Sequence, residues 1–72
     1  MIFLAKLGQR WLYKNSFVCE IISDGIYRVG KIIYPEFRIM QSLQRIYRVG
    51  EMQTTNVGAN DSWVLLKNQD SI

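Results

Sequence analysis

The pentapeptide Ile26–Gly30, IYRVG, recurs unchanged as Ile46–Gly50, and each copy ends in a glycine followed by a charged residue, Lys31 or Glu51. A related unit, Leu7-Gly8-Gln9, stands just ahead of Arg10 and Trp11. Glycine reaches positive φ without a steric penalty, so an apolar-Gly-polar unit followed by β-branched and aromatic residues marks the point where one strand hands over to the next. The repeated unit therefore predicts short strands joined by small turns. It specifies architecture and carries no chemistry of its own.

Period-two alternation supports the strand reading along most of the chain. Arg10–Tyr13 places Trp11 and Tyr13 on one face, and Lys14-Asn15-Ser16 reads as its turn. Phe17–Ser23 follows, with Phe17, Cys19 and Ile21 on one side and Val18, Glu20 and Ile22 on the other. Both sides are largely apolar, which predicts a central strand. Ser23-Asp24-Gly25 is a turn by composition. Ile26–Tyr34 is then expected as the return strand of a hairpin, with a bulge or bend at Gly30, its valine and tyrosine in the core, and an end at Pro35, which lacks an amide hydrogen for a ladder. Trp63–Leu66 reads as a last short strand after the NVGANDS loop of residues 56–62, and the polar residues 67–72 read as a flexible tail.

The segment Glu36–Arg48 admits two readings. On a helical wheel Ile39, Met40, Leu43, Ile46 and Tyr47 share an arc opposite Arg38, Gln41, Ser42, Arg45 and Arg48, with Pro35 and Gly50 suitably placed as helix punctuation. β-Branched and aromatic residues crowd the same segment, however, and a helix would force the two IYRVG copies into different roles. Two strands, Phe37–Leu43 and Tyr47–Thr55, joined at Gln44-Arg45, treat the copies alike. The expected fold is therefore all-β: a small, partly open antiparallel barrel of SH3-like or OB-like type with five or six short strands over residues 1–72, the alternative being α+β with one amphipathic helix at 36–48.

A chain of 72 residues is one domain, and at that size it buries only about 60% of its unfolded surface, so its core is marginal and association with a second copy would supplement it. The single cysteine, Cys19, leaves no internal disulfide, which suits a reducing compartment. Lys6 interrupts the apolar start of the chain far short of a membrane span. A cytoplasmic protein without membrane attachment is the expectation.

Catalysis has little to work with. Histidine is absent, which removes the commonest general base near neutral pH. Cys19 lies in an apolar strand with no histidine to activate it, and the scattered carboxylates match neither a zinc nor a calcium pattern. The glycines form neither a phosphate loop nor a dinucleotide fingerprint. A non-enzyme without cofactor or metal is expected.

Binding has more material. Between Arg28 and Arg48 lie the five basic residues Arg28, Lys31, Arg38, Arg45 and Arg48 against Glu36 alone, so the excess charge of the chain, +3 in all, is concentrated between the two repeats. Such a segment attracts phosphates, acidic proteins or anionic ligands, although arginines on outward strand faces also simply discourage edge pairing. Tyr27 and Tyr47 each precede an arginine, the pairing that stacks a base and holds its phosphate. Trp11 and Trp63, at opposite ends of the chain, form either a closure pair in the core or an exposed patch for another protein or another copy. The candidate binding residues are Arg28, Arg38, Arg45, Arg48, Tyr27, Tyr47, Trp11 and Trp63.

FVCEII at 17–22, the run from GKII to RIMQSL at 30–43, YRVGE at 47–51 and WVLLKNQD at 63–70 resemble, in the same order, pieces of small uncharacterised β-barrel proteins encoded by bacteriophages. In such proteins the RIMQSL segment looks like a strand. The resemblance implies a non-catalytic protein acting in the cytoplasm of an infected bacterial host, and no ligand residue is carried over with it. Three roles are consistent with that setting. The first expectation is an anti-defence inhibitor that occupies the surface of a host protein. The alternatives are an oligomeric sponge for an anionic signalling nucleotide and a nucleic-acid-binding module; a virion component is a further possibility.

Overall fold

The structure, a computed structural model, describes residues 5–67. Seven short strands are present among them: β1 Arg10–Tyr13, β2 Phe17–Ser23, β3 Ile26–Arg28, β4 Lys31–Ile33, β5 Glu36–Ser42, β6 Met52–Thr54 and β7 Trp63–Lys67. Five form an antiparallel sheet in the order β6-β5-β2-β1-β7, and β3 pairs only with β4 in a separate hairpin. The fold is all-β, and no described helix is long and apolar enough to cross a membrane. Residues 68–72, the rest of the expected tail, lie outside the described residues, as does the start of the chain at 1–4.

Alternation produces a one-sided sheet. Trp11, Phe17, Cys19, Ile21, Phe37, Ile39 and Trp63 turn inward and are buried, joined by Ala5 and Val57 from the flanking segments. Among the described residues no second layer covers this face, and the sheet curls round its own side chains. The rings show how far: β5 and β7 are three strand steps apart, about 14 Å in a flat sheet, yet the Phe37 and Trp63 centroids lie 6.1 Å apart. Register shifts at Val18/Cys19, Ile21/Ser23 and Arg10/Trp11 supply the bends. Among the described residues the barrel stays open, because the edges β6 and β7 do not pair with one another.

Four turns share one construction. Lys6-Leu7-Gly8-Gln9, Arg28-Val29-Gly30-Lys31, Arg48-Val49-Gly50-Glu51 and Asn56-Val57-Gly58-Ala59 each place glycine third, at φ of 89°, 71°, 90° and 82° respectively. Their second residues stay outside the left-handed region, where Lys14 is the one described non-glycine residue. That is the pattern of a type II turn. Three of the four close with an N–H to C=O bond of 3.1 Å, from Gln9 to Lys6, Glu51 to Arg48 and Ala59 to Asn56. The fourth is the tip of the β3–β4 hairpin, where Arg28 stands opposite Lys31.

Two expectations need correction. Ile26–Tyr34 is two strands, because the turn at Val29-Gly30 reverses the chain completely; β2 pairs with β1 and β5 instead. Tyr47–Thr55 is strand only over Met52–Thr54, because the 43–51 connection is taken up by turns at Gln44–Tyr47 and Arg48–Glu51. The barrel sheet itself has five strands, within the expected number, and β3 and β4 stand beside it as a separate pair. The helical alternative for 36–48 gives way to β5, where Phe37 and Ile39 are buried and Arg38 and Met40 are exposed at period two.

Candidate interaction surface

The β3–β4 hairpin stands apart from the barrel. Neither of its strands packs against a strand of the five-stranded sheet. Ile26, Ile32, Ile33 and Tyr34 are exposed, and Val29 at the turn is wholly so, at 102%. An isolated two-stranded hairpin is at best marginally stable in water. Here its base is clamped: a Cβ on Gly25 would lie 2.4 Å from Pro35 Cδ, so the chain leaves and re-enters the barrel through one narrow contact. Pro35 is fully buried and its carbonyl accepts a bond from the Thr55 N–H at 3.3 Å.

Electrostatics at the hairpin tip run against local stability. Arg28 and Lys31 are direct cross-strand partners, and like charges directly opposite one another destabilise a strand pair. Apolar side chains thus lie in water beside two like charges that have no ion-pair partner among the described residues.

The second repeat makes a similar protrusion elsewhere. In the β5–β6 connection Leu43, Ile46 and Val49 are exposed, the isoleucine at 73%, and Arg45 and Arg48 are exposed beside them. Val29 and Val49, expected in the core, thus sit in solvent as the second residues of their turns. The two copies do not share a groove by strand pairing. The hairpin leaves from the Glu36 end of β5, whereas the second copy closes beside the middle of that strand, where the Gly50 N–H donates to Ile39 O at 2.7 Å.

The remaining candidates separate by burial. Trp11 and Trp63 are core residues, 6% and 8% exposed, on the adjacent strands β1 and β7, so they form the closure pair rather than an exposed patch. Trp11 Nε1–H donates to Gln9 Oε1 at 3.2 Å, and the same oxygen accepts the Lys6 N–H at 2.7 Å. Tyr47 is half-buried with its ring edge-on to Phe17 at a centroid distance of 4.7 Å, which commits to the core a ring expected to stack on a base. Tyr27 lies mid-β3 opposite Ile32.

Arg38 belongs to a charged row across the outer face. Register places Met52, Arg38, Glu20, Arg10 and Lys67 side by side on β6, β5, β2, β1 and β7. Glu20 Oε1 meets Arg10 Nη2 at 3.8 Å, a solvent-exposed pair of small energetic weight. Among the described residues no three His, Cys, Asp or Glu side chains lie together as a metal site would require. Burial pushes the Cys19 thiol up to about 12, against a smaller opposing effect of a backbone hydrogen bond from Trp11, so it remains a neutral core group.

Val29, Ile32, Ile33 and Ile46 are exposed apolar residues that the sequence does not single out as binding candidates. Their signal was available: apolar residues flank a Val-Gly turn on both sides without alternation, which leaves no face to bury. Compared with protein families, curated proteins and solved structures, the chain matches none of them.

Proposed function

We propose that this chain is a non-catalytic binding protein that engages a partner protein through the β3–β4 hairpin. The observation that carries the reading is the hairpin's exposed apolar surface, Val29 foremost, held away from the barrel on the Gly25–Pro35 clamp. Val29, Ile26 and Ile32 enter an apolar groove, and Arg28 and Lys31 meet an acidic rim, giving the arrangement of a desolvated anchor within a charged surround that concentrates binding energy at protein interfaces. The phage-type resemblance suggests the setting: a host protein, such as one of a defence system, whose surface is occupied and thereby blocked.

A second reading draws on the outer row. Arg10, Arg38 and Lys67 could hold phosphates of a nucleic acid, with Glu20 setting the spacing between them. Sequestration of a nucleotide has less support, since the Tyr47 ring is engaged with Phe17.

Affinity capture from bacterial lysate separates these readings. The tagged full chain is compared with a Val29→Asp, Ile32→Asp variant, each with and without nuclease, at low and high salt. The protein-partner reading expects a discrete host protein retained after nuclease and in high salt, its recovery at least roughly tenfold lower with the variant, whose melting temperature stays near that of the wild type. Recovery unaffected by the two aspartates, or dependent on nucleic acid and falling steeply with salt, overturns it.

A further inference from the structure

The β3–β4 hairpin carries charges of opposite sign on either side of an apolar centre. Cross-strand pairing sets Ile26 beside Ile33 and Arg28 beside Lys31, and alternation places these four side chains on one face of the hairpin with Ile32 on the other. All five residues are exposed. From the isoleucine pair the cations lie two residues toward the tip, and the carboxylates of Asp24 and Glu36 lie two and three residues toward the base, offsets of about 7 to 10 Å in extended chain. The tip is doubly positive and the base doubly negative.

These charges do not meet within one hairpin. Arg28 and Asp24 are four residues apart along nearly extended chain, about 13 Å, and Arg28 faces Lys31 instead. Asp24 is held at the base, where its Oδ1 accepts the Leu7 N–H, and its second oxygen stays open to a cation. A segment whose charges reverse about its own apolar centre complements an antiparallel copy of itself.

We propose that two copies of the chain pack these hairpin faces together, antiparallel about a twofold axis that crosses the strands at Ile26 and Ile33. That operation lays β3 on β3 and β4 on β4 of the second copy. Ile26 and Ile33 meet their counterparts at the axis, Arg28 reaches Asp24 of the second copy, and Lys31 reaches Glu36 of the second copy. Each charged contact is made twice, as an isologous interface requires. Sheets packed face to face stand about 10 Å apart, a gap that isoleucines fill and that an arginine or lysine side chain spans toward a carboxylate. The contact adds a layer to a ribbon that is marginal alone and sets an acid beside each of two like charges. The hairpin is also the surface assigned to a partner protein, so the dimer is a resting state that this partner has to open. That consequence rests on the partner reading; the dimer itself does not.

Sedimentation velocity on the full chain, 8.5 kDa as one copy, tests the dimer with no partner present. The wild type dimerises. Lys31→Glu sets acid against acid twice and Glu36→Lys sets base against base twice, so each alone weakens the dimer by roughly tenfold or more. An equimolar mixture of the two variants recovers wild-type association, because both contacts are attractive again. Ile33→Asp, on the contact face, abolishes the dimer, whereas Ile32→Asp, on the opposite face, leaves it intact; melting temperatures near that of the wild type show that these exposed changes spare the fold. A wild type monomeric at millimolar concentration overturns the proposal. So does a mixture that fails to recover association, or a dimer that survives Ile33→Asp. Capture of a host protein by a monomeric wild type keeps the partner reading and removes the dimer, and a dimer with the charge behaviour above but no captured protein does the reverse.

Discussion

The indole of Trp11 lies against the backbone of Gly58: a Cβ on that glycine would stand 2.9 Å from Trp11 Cη2 and 3.3 Å from Cζ3. Gly58 also holds φ at 82° in the turn that presents Val57, itself fully buried, to the core. One glycine thus permits both the turn and the seating of the largest ring at the mouth of the barrel.

Replacing Gly58 with alanine should therefore be costly through two separate effects. The positive φ contributes about 1 kcal/mol and the clash with a buried, rigid ring roughly 1–3 kcal/mol more. Urea denaturation followed by tryptophan fluorescence measures the sum. A loss of under about 1 kcal/mol would show that the Trp11 ring has room to withdraw.

The cysteine gives a pH signature. In the folded chain the Cys19 thiol is raised from 9.0 to about 12, principally by burial. A raised pKa means that the folded state holds its proton where the unfolded state releases it. The associated stability is complete below pH 9 and is lost as pH climbs from 9 toward 12. Cys19→Ala costs stability at neutral pH through the cavity it leaves, and it flattens the alkaline fall of stability relative to wild type. Parallel denaturation curves from pH 8 to 11 test this. Equal slopes for the two proteins would contradict it, as would rapid alkylation of Cys19 under native conditions.

How far the residues disclosed the fold depends on the distance over which their signals act. Arg10–Tyr13 and Phe17–Ser23 were legible to the residue, because strict alternation and a polar three-residue turn leave one register that buries Trp11, Phe17, Cys19 and Ile21 together. The glycine turns were legible as well, since positive φ is a local demand. The copies of IYRVG were not, beyond their last residues. Arg-Val-Gly makes the same turn twice, but Ile26-Tyr27 enters a hairpin while Ile46-Tyr47 lies in a connection where Tyr47 reaches Phe17. Identical sequence diverges here because tertiary partners decide which residues beside the turn are paired. The candidate surface was hidden for the same reason. An apolar run reads as core wherever a core is available, and only the Gly25–Pro35 clamp, ten residues apart in sequence, shows that this run is held outside it.

That clamp yields a comparison of two glycines in one hairpin. Gly30 sits at φ 71° with open space where a Cβ would go, so Gly30→Ala incurs only the backbone effect, about 1 kcal/mol. Gly25 is outside the positive-φ region, yet its Cβ would meet Pro35 Cδ at 2.4 Å, Pro35 N at 2.5 Å and Ile33 O at 2.7 Å. None of these belongs to a flexible side chain that could turn away. Gly25→Ala must therefore displace the buried Pro35 and loosen the Thr55-to-Pro35 bond that ties the hairpin base to the segment after β6. It should destabilise the chain by more than Gly30→Ala, by roughly 2 kcal/mol or more. It should also raise amide exchange at Thr55 while leaving exchange in β1 and β2 near wild type under native conditions. Thermal melts of the two variants side by side, with amide exchange on Gly25→Ala, decide the matter. If Gly30→Ala proves the more damaging, the hairpin is held by its tip and not by its base.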